Sequence, residues 1–170
     1  MPRTMVRPAT LRDLDLLVLH RRKMWQDIGG RTRKQLDAAD PVYRRWARQR
    51  LKSGKLVGWI VEVGGTPVAS GCLWVQEAQP RPAWKGTRQA YLLSVFTAPE
   101  HRGKGFASRI TGEAMRWSKA AGLDRITLHA SDEGRGLYAR LGFLRTREMR
   151  LLLKPRPRRR LAKDGPTNLR

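Results

Sequence analysis

One cysteine and three histidines stand in 170 residues. A lone thiol, Cys72, cannot close an internal disulfide, and it lies in an apolar strand pattern that suits a small buried residue rather than a nucleophile. Three scattered histidines give no metal-ligand spacing, and no nucleophile–histidine–acid constellation is visible. No run of 18 apolar residues exists, so no transmembrane helix is expected, nor a membrane partner. No apolar segment follows the first residues, so no signal peptide is expected and a cytoplasmic location is the default. No internal repeat is present. Acidic residues are also scarce: 14 against 36 basic ones, a net charge of +22. The excess is spread along the chain. Residues 1–55 carry 15 basic and 5 acidic residues, 56–153 carry 14 and 8, and 154–170 carry 7 and 1. Such a field attracts anions, nucleic acid among them, although arginine-rich composition serving solubility is the alternative.

The length fits one domain with a real core. Residues 1–153 carry periodic apolar patterns. Residues 154–170, starting Lys154-Pro155-Arg156-Pro157-Arg158, form a basic, Pro-containing tail expected to be mobile. Val6–Ala9 reads as a strand. Thr10 caps a helix whose apolar stripe runs through Leu14, Leu17, Val18, Met24, Trp25 and Ile28, and Gly29-Gly30 ends it. Residues 31–39 read as a loop, and Asp40-Pro41 as the start of a second helix. Leu56–Val63, Gly64-Gly65 and Pro67–Gln76 form a hairpin signal, with Val57, Trp59, Val61 and Val63 on one face. A Pro-rich loop over 77–88 holds Trp84, which either covers a small-molecule site or tucks against its own loop. Strands are expected at 89–97 and 125–130, with a helix from Phe106 between them, so the pair should be parallel. A short helix near 134–141 and one or two strands within 143–153 complete the domain.

The most informative stretch joins strand 89–97 to that helix: Val95-Phe96-Thr97-Ala98-Pro99-Glu100-His101-Arg102-Gly103-Lys104-Gly105-Phe106-Ala107. Glycines let the backbone approach a ligand closely, and a helix N-terminus adds unpaired N–H donors and a positive dipole end. The combination suits a phosphate or pyrophosphate.

Arg102-Gly103-Lys104-Gly105-Phe106-Ala107 resembles the Arg/Gln-x-x-Gly-x-Gly/Ala signature of the GNAT superfamily of acetyl-CoA-dependent N-acetyltransferases. Downstream, Leu137-Tyr138-x-x-x-Gly142-Phe143 resembles a later motif of the same family. The later segment departs from the family pattern at Ser131 and Asp132, near where asparagine is common. The resemblance covers residues 4–153. It implies an α/β fold: a mixed, mostly antiparallel sheet with two splayed parallel strands, flanked by helices. It further implies that acetyl-CoA, as co-substrate and without a metal, lies between strands 89–97 and 125–130. Backbone at Val95, Phe96 and Thr97 would bond the pantetheine arm, and Arg102, Gly103, Lys104, Gly105, Phe106 and Ala107 would hold the pyrophosphate. Tyr138 matches the position of the acid that protonates the leaving thiolate.

The activity implied is transfer of an acetyl group to a primary amine, directly in a ternary complex. Trp25, Asp27, Trp84 and Ser94 are candidates to meet the acceptor, with Met24 beside them; core packing is the alternative for the helical ones. No single motif position identifies a general base. Glu77, His129, Asp132, Glu133 and Asp27 qualify by type and region, while His129 equally fits a satisfied structural role. The acceptor could be a small molecule or a protein amine, and a polycation is disfavoured by the field. Two other readings stay open: a non-catalytic basic module on the same fold, binding nucleic acid or ribosome, and an acyltransferase for a hydroxyl or another acyl group. The sequence leaves oligomeric state open, a homodimer included.

Overall fold

The computed structural model describes residues 2–82, 86–151 and 153. Trp84 and the basic tail therefore lie outside the described residues. A five-stranded sheet runs in chain order: β1 (Thr4–Pro8), β2 (Leu56–Val63), β3 (Thr66–Glu77), β4 (Arg88–Thr97) and β5 (Ile126–Thr127). The first four strands are antiparallel, and β4 and β5 are parallel. Helices α1 (Leu14–Ile28) and α2 (Arg33–Lys52) cover one face, and α3 (Phe106–Ala120) covers the other. A short α4 (Arg135–Arg140) follows β5. Two buried clusters fill the layers. Trp59, Val61, Leu73, Phe106, Ile110 and Ala114 pack under α3. Leu14, Leu17, Val18, Tyr43, Leu56 and Cys72 pack under α1 and α2. Both faces of the sheet are thus buried, and Val57, Trp59, Val61 and Val63 share the α3 side as their alternation requires.

The start of α1 follows its local signal. Thr10 and Asp13 form a capping box, and a single 3-10 turn over Leu11–Asp13 leads into the helix. Asp13 also takes two hydrogen bonds from Arg7, whose Nε donates to Glu62 at 2.8 Å. One guanidinium thereby ties β1, β2 and the helix entrance together, and it holds the Asp13 carboxyl down at about 2.

Three expectations need correction. Residues 31–39 are not a loop. Thr32 forms a capping box with Gln35, so the N-cap lies eight residues before Asp40 and α2 begins at Arg33. Pro41 lies inside the helix, where its missing N–H leaves the Asp37 carbonyl without a helical donor. Arg22 of α1 grips Asp37 and Asp40, each at 2.6 Å, and these cross-helix ion pairs hold the turn that proline weakens. Second, the strand expected over 125–130 is two residues long. Third, no strand forms among the described residues of 143–153. Leu144, Met149, Leu151 and Leu153 are all exposed there, so the segment packs no apolar face against the domain and nothing selects a register.

Of two register shifts in the sheet, at Val61/Glu62 and at Ser70/Cys72, the second positions the site. Cys72 pairs with Leu93 and Ser70 with Phe96, so Gly71 faces two residues, Ser94 and Val95. Ser94 has φ 54, an unusual value for a residue with a side chain. Gly71 is required by crowding: a Cβ there would lie 2.7 Å from Ile110 Cγ2 and 3.2 Å from Val95 Cγ2. Gly71→Ala should therefore overpack this contact and destabilise the fold by about 1–3 kcal/mol. Chemical denaturation checks it, and an unchanged midpoint would remove the packing argument.

Buried His20 of α1 sits against the Phe96 ring, and its Nδ1 is 2.9 Å from Ser70 Oγ. Burial, aided by nearby Lys23, lowers its pKa from 6.5 to about 4. Below pH 6.5 the unfolded chain binds a proton at this residue that the folded chain does not. The stability contributed by neutral His20 is thus present above pH 6.5 and is lost as pH falls towards 4, at up to about 1.4 kcal/mol per pH unit. The melting temperature should fall between pH 7 and pH 4.5, and His20→Gln should flatten that fall. A parent protein with the same melting temperature at both pH values would contradict this.

Candidate active site

The parallel ladder pairs Ala90 with Ile126 and Tyr91 with Thr127, and then stops. Strand β4 continues to Thr97 while the chain after Thr127 diverges from it. Between them opens a cleft of about 750 Å³, within the range of small-molecule sites. Its walls come from β4, from residues 128–134, from the ends of α1 and α4, and from the turn that starts α3.

That turn is built from two glycines in left-handed backbone: Gly103 at φ 75 and Gly105, the N-cap of α3, at φ 77. A Cβ at either would meet open space, so backbone conformation rather than crowding selects glycine there. The first-turn N–H groups of α3 follow directly, without intrahelical acceptors, at the positive end of a fifteen-residue helix.

Most predicted site residues come together. Val95, Phe96, Thr97, Arg102, Gly103, Gly105, Phe106 and Ala107 line the cleft, as do Asp27, Ser94, Met24 and Tyr138. Lys104 does not: its Nζ folds back to the Glu100 carbonyl at 3.2 Å. Trp25 lies beside the cleft rather than in its lining. The Arg102 side chain is already engaged. Its Nη2 lies 2.5 Å from Asp27 Oδ2 and its Nε donates to the Thr97 carbonyl at 3.2 Å. This pair links the end of α1 to the glycine turn, and it leaves the backbone amides as the turn's main donors.

Tyr138 projects from α4 and meets Phe143 edge-on at 5.7 Å between centroids. Burial raises its phenol pKa above the ordinary value of 10. Cys72 is buried, and its thiol is pushed up to about 12, an inert neutral group.

Among the acid–base candidates, Asp27, His129, Asp132 and Glu133 line the cleft and Glu77 does not. Asp27 is paired with Arg102, and Asp132 with Arg135 at 2.8 Å. Both His129 nitrogens are occupied: Nδ1 contacts the Tyr91 hydroxyl, and Nε2 lies 3.2 Å from Glu148 Oε1. Ser131 Oγ accepts from the Gly134 amide at 3.2 Å, so it serves its own turn. Two cleft residues hold unpartnered polar atoms: Thr97, which was expected in the site, and His101, which was not. His101 keeps Nδ1 buried with no partner among the described residues, and so does Thr97 with Oγ1. Polar atoms left unsatisfied in a cleft wall fit a site whose hydrogen bonding a bound molecule completes. His101 stands inside the glycine-rich stretch, but nothing in its spacing distinguishes it.

Comparison with known proteins agrees with this geometry. The family described as acetyltransferase (GNAT) matches residues 21–143. A GCN5-related N-acetyltransferase of Ralstonia eutropha is 32% identical, with a TM-score of 0.83 over 89% of this chain and 99% of that one. A predicted acetyltransferase of Clostridium acetobutylicum, solved with acetyl-CoA, is 27% identical, with a TM-score of 0.81 over 88% and 96%. An uncharacterized N-acetyltransferase of Methanocaldococcus jannaschii is 29% identical over 107 residues, which span 59% of this chain and 43% of that relative's length. With a family match across most of the chain and a glycine turn, a splayed strand pair and Tyr138 around one cleft, the chain belongs to the acetyltransferase (GNAT) family.

Proposed function

We propose that the protein transfers the acetyl group of acetyl-CoA to a primary amine directly, with both substrates bound at once. The observation that carries this reading is convergence: Tyr138 and the 102–107 turn, distant in sequence, line the same cleft. The turn offers oriented N–H donors for the pyrophosphate, and the exposed edge of β4 beyond Tyr91 offers strand-like pairing for the pantetheine amides. Held there, the thioester carbonyl meets the amine as a positioned reactant rather than by chance encounter.

In the reaction the amine nitrogen attacks the carbonyl carbon, the C–S bond breaks, and the thiolate leaves with the electron pair. The amine must first be neutral, because a free alkylammonium has a pKa of about 10.4. Tyr138 is the proton donor to the departing sulfur in this reading. Its raised pKa keeps the phenol protonated throughout the working range, so loss of the acid should appear only above pH 10. The inert Cys72 supports direct transfer over a thioester-linked enzyme.

The test is thiol release from acetyl-CoA with a panel of primary amines. The parent should acetylate at least one, and Tyr138→Phe should lower kcat by about 10²–10⁴-fold while leaving acetyl-CoA affinity nearly unchanged. Equal turnover by the variant with every accepted amine would remove Tyr138 from the mechanism. Release with hydroxyl acceptors only would replace N-transfer with O-transfer.

A further inference from the structure

Beside the cleft lies a second feature that the proposed acetyl-CoA site does not use. Arg21 of α1 is half-buried, with its guanidinium carbon 4.3 Å from the Tyr43 ring centroid and 6.0 Å from that of Trp25. Arg31, just beyond α1, lies 5.3 Å from the same Trp25 ring. Neither arginine has a carboxylate partner among the described residues, and Arg31 donates only to the Gly30 carbonyl. Their neighbours differ. Arg22 holds Asp37 and Asp40, Arg44 holds Asp15, and Arg33 reaches Asp37. Asp40 is near enough to act on Arg21; its Oδ2 is committed to Arg22, and its buried Oδ1 makes no hydrogen bond among the described residues.

None of Arg21, Arg31, Tyr43 and Trp25 lines the cleft, but the patch they form adjoins it. The Tyr43 hydroxyl sits beside Cys72 and Ser94, and Ser94 lines the cleft. Met24 and Ile28, one and two turns after Arg21, line it as well. A guanidinium that has lost part of its hydration without gaining a hydrogen-bonded counter-ion is held at a cost. Flat against aromatic rings, it keeps its donor edge for a planar or tetrahedral anion.

We propose that Arg21 and Arg31, resting on Tyr43 and Trp25, bind an anionic group carried by the acceptor, which is therefore an amine bearing a carboxylate or a phosphate. The inference rests on the reading of the cleft as the site of acetyl transfer to an amine. It accords with a net charge of +22, which repels cationic acceptors and draws in anionic ones.

Matched pairs test it on the full chain. Phenylalanine is compared with phenethylamine for the carboxylate, and glucosamine 6-phosphate with glucosamine for the phosphate. Thiol release gives kcat/KM for each. Calorimetry with CoA present gives the affinity for the N-acetylated form of each, independent of turnover. The anionic member of one pair should be favoured by about tenfold or more, and which pair does so identifies the anion. Arg21→Gln and Arg31→Gln should each shrink that preference through KM, with kcat for the anionic member largely kept. The exposed Arg31 keeps the test valid if the Arg21 variant folds poorly. Arg33→Gln, which removes a charge outside the patch, should preserve the preference. Equal use of both members in both pairs, or a preference untouched by the Arg31 and Arg21 changes, overturns the proposal and leaves acetyl transfer standing. Preferential binding of the anionic compounds with no thiol release upholds the anion site and overturns transfer to an amine. No binding and no turnover of any member overturns the anion site.

Discussion

The approach of Ile110 to Gly71 is the contact on which the rest of the site depends. Gly71 faces both Ser94 and Val95, so β4 gains a residue against β3 at this point. Strand β4 bends where Ser94 takes its left-handed conformation, three residues past the end of the short parallel ladder with β5. The cleft opens beyond that ladder. The same glycine lets α3 lie close enough for Ile110 to be fully buried. Because α3 begins at the Gly103–Gly105 turn, seating Ile110 also sets where the turn's amides point. One absent Cβ therefore helps to place both the strand wall and the N-terminal donors of the cleft.

Features encoded by neighbouring residues were legible in the sequence. The glycine turn, the hairpin at Gly64-Gly65, the Thr10 cap and the helix from Phe106 all arise from signals a few residues long, and all form as expected. Tyr138 was found through a motif, and it lines the cleft. What escaped depends on partners far apart in the chain. Asp40-Pro41 carries a strong local start signal, yet Thr32 caps the helix earlier and Arg22 of another helix clamps the residues around the proline. Arg102 reads as a free phosphate ligand until Asp27, 75 residues away, is seen to hold it. The positive φ of Ser94 has no sequence signal, since serine carries no preference for it comparable to glycine. Residues 143–153 alternate poorly and include many charges, so strand propensity there was not matched by a face to bury.

Charge acts on two scales in this protein. Globally, +22 creates a field that favours any anion, and by itself it says nothing of where one binds. Locally, the scarce carboxylates are distributed with purpose. Asp13 and Glu62 fix Arg7 at the first helix, Asp37 and Asp40 fix Arg22 between α1 and α2, and Asp27 fixes Arg102 at the cleft. Arg21 and Arg31, beside the cleft, rest on aromatic rings instead, as Arg50 does on Trp46 and Trp74. The half-exposed Asp27–Arg102 pair contributes little to stability, so separating it costs little.

The central claim is that the splayed strands and the glycine turn together form a site for acetyl-CoA. Melting curves with acetyl-CoA in large excess, beside dephospho-CoA and ATP, test it most directly. A ligand at about 100 times its dissociation constant stabilises the folded state by about 2.7 kcal/mol, a rise of a few degrees for a domain of this size. A rise with acetyl-CoA well beyond that with ATP is the predicted result. Equal rises with all three would reduce the cleft to general anion attraction by a basic protein, and no rise with acetyl-CoA would contradict the site.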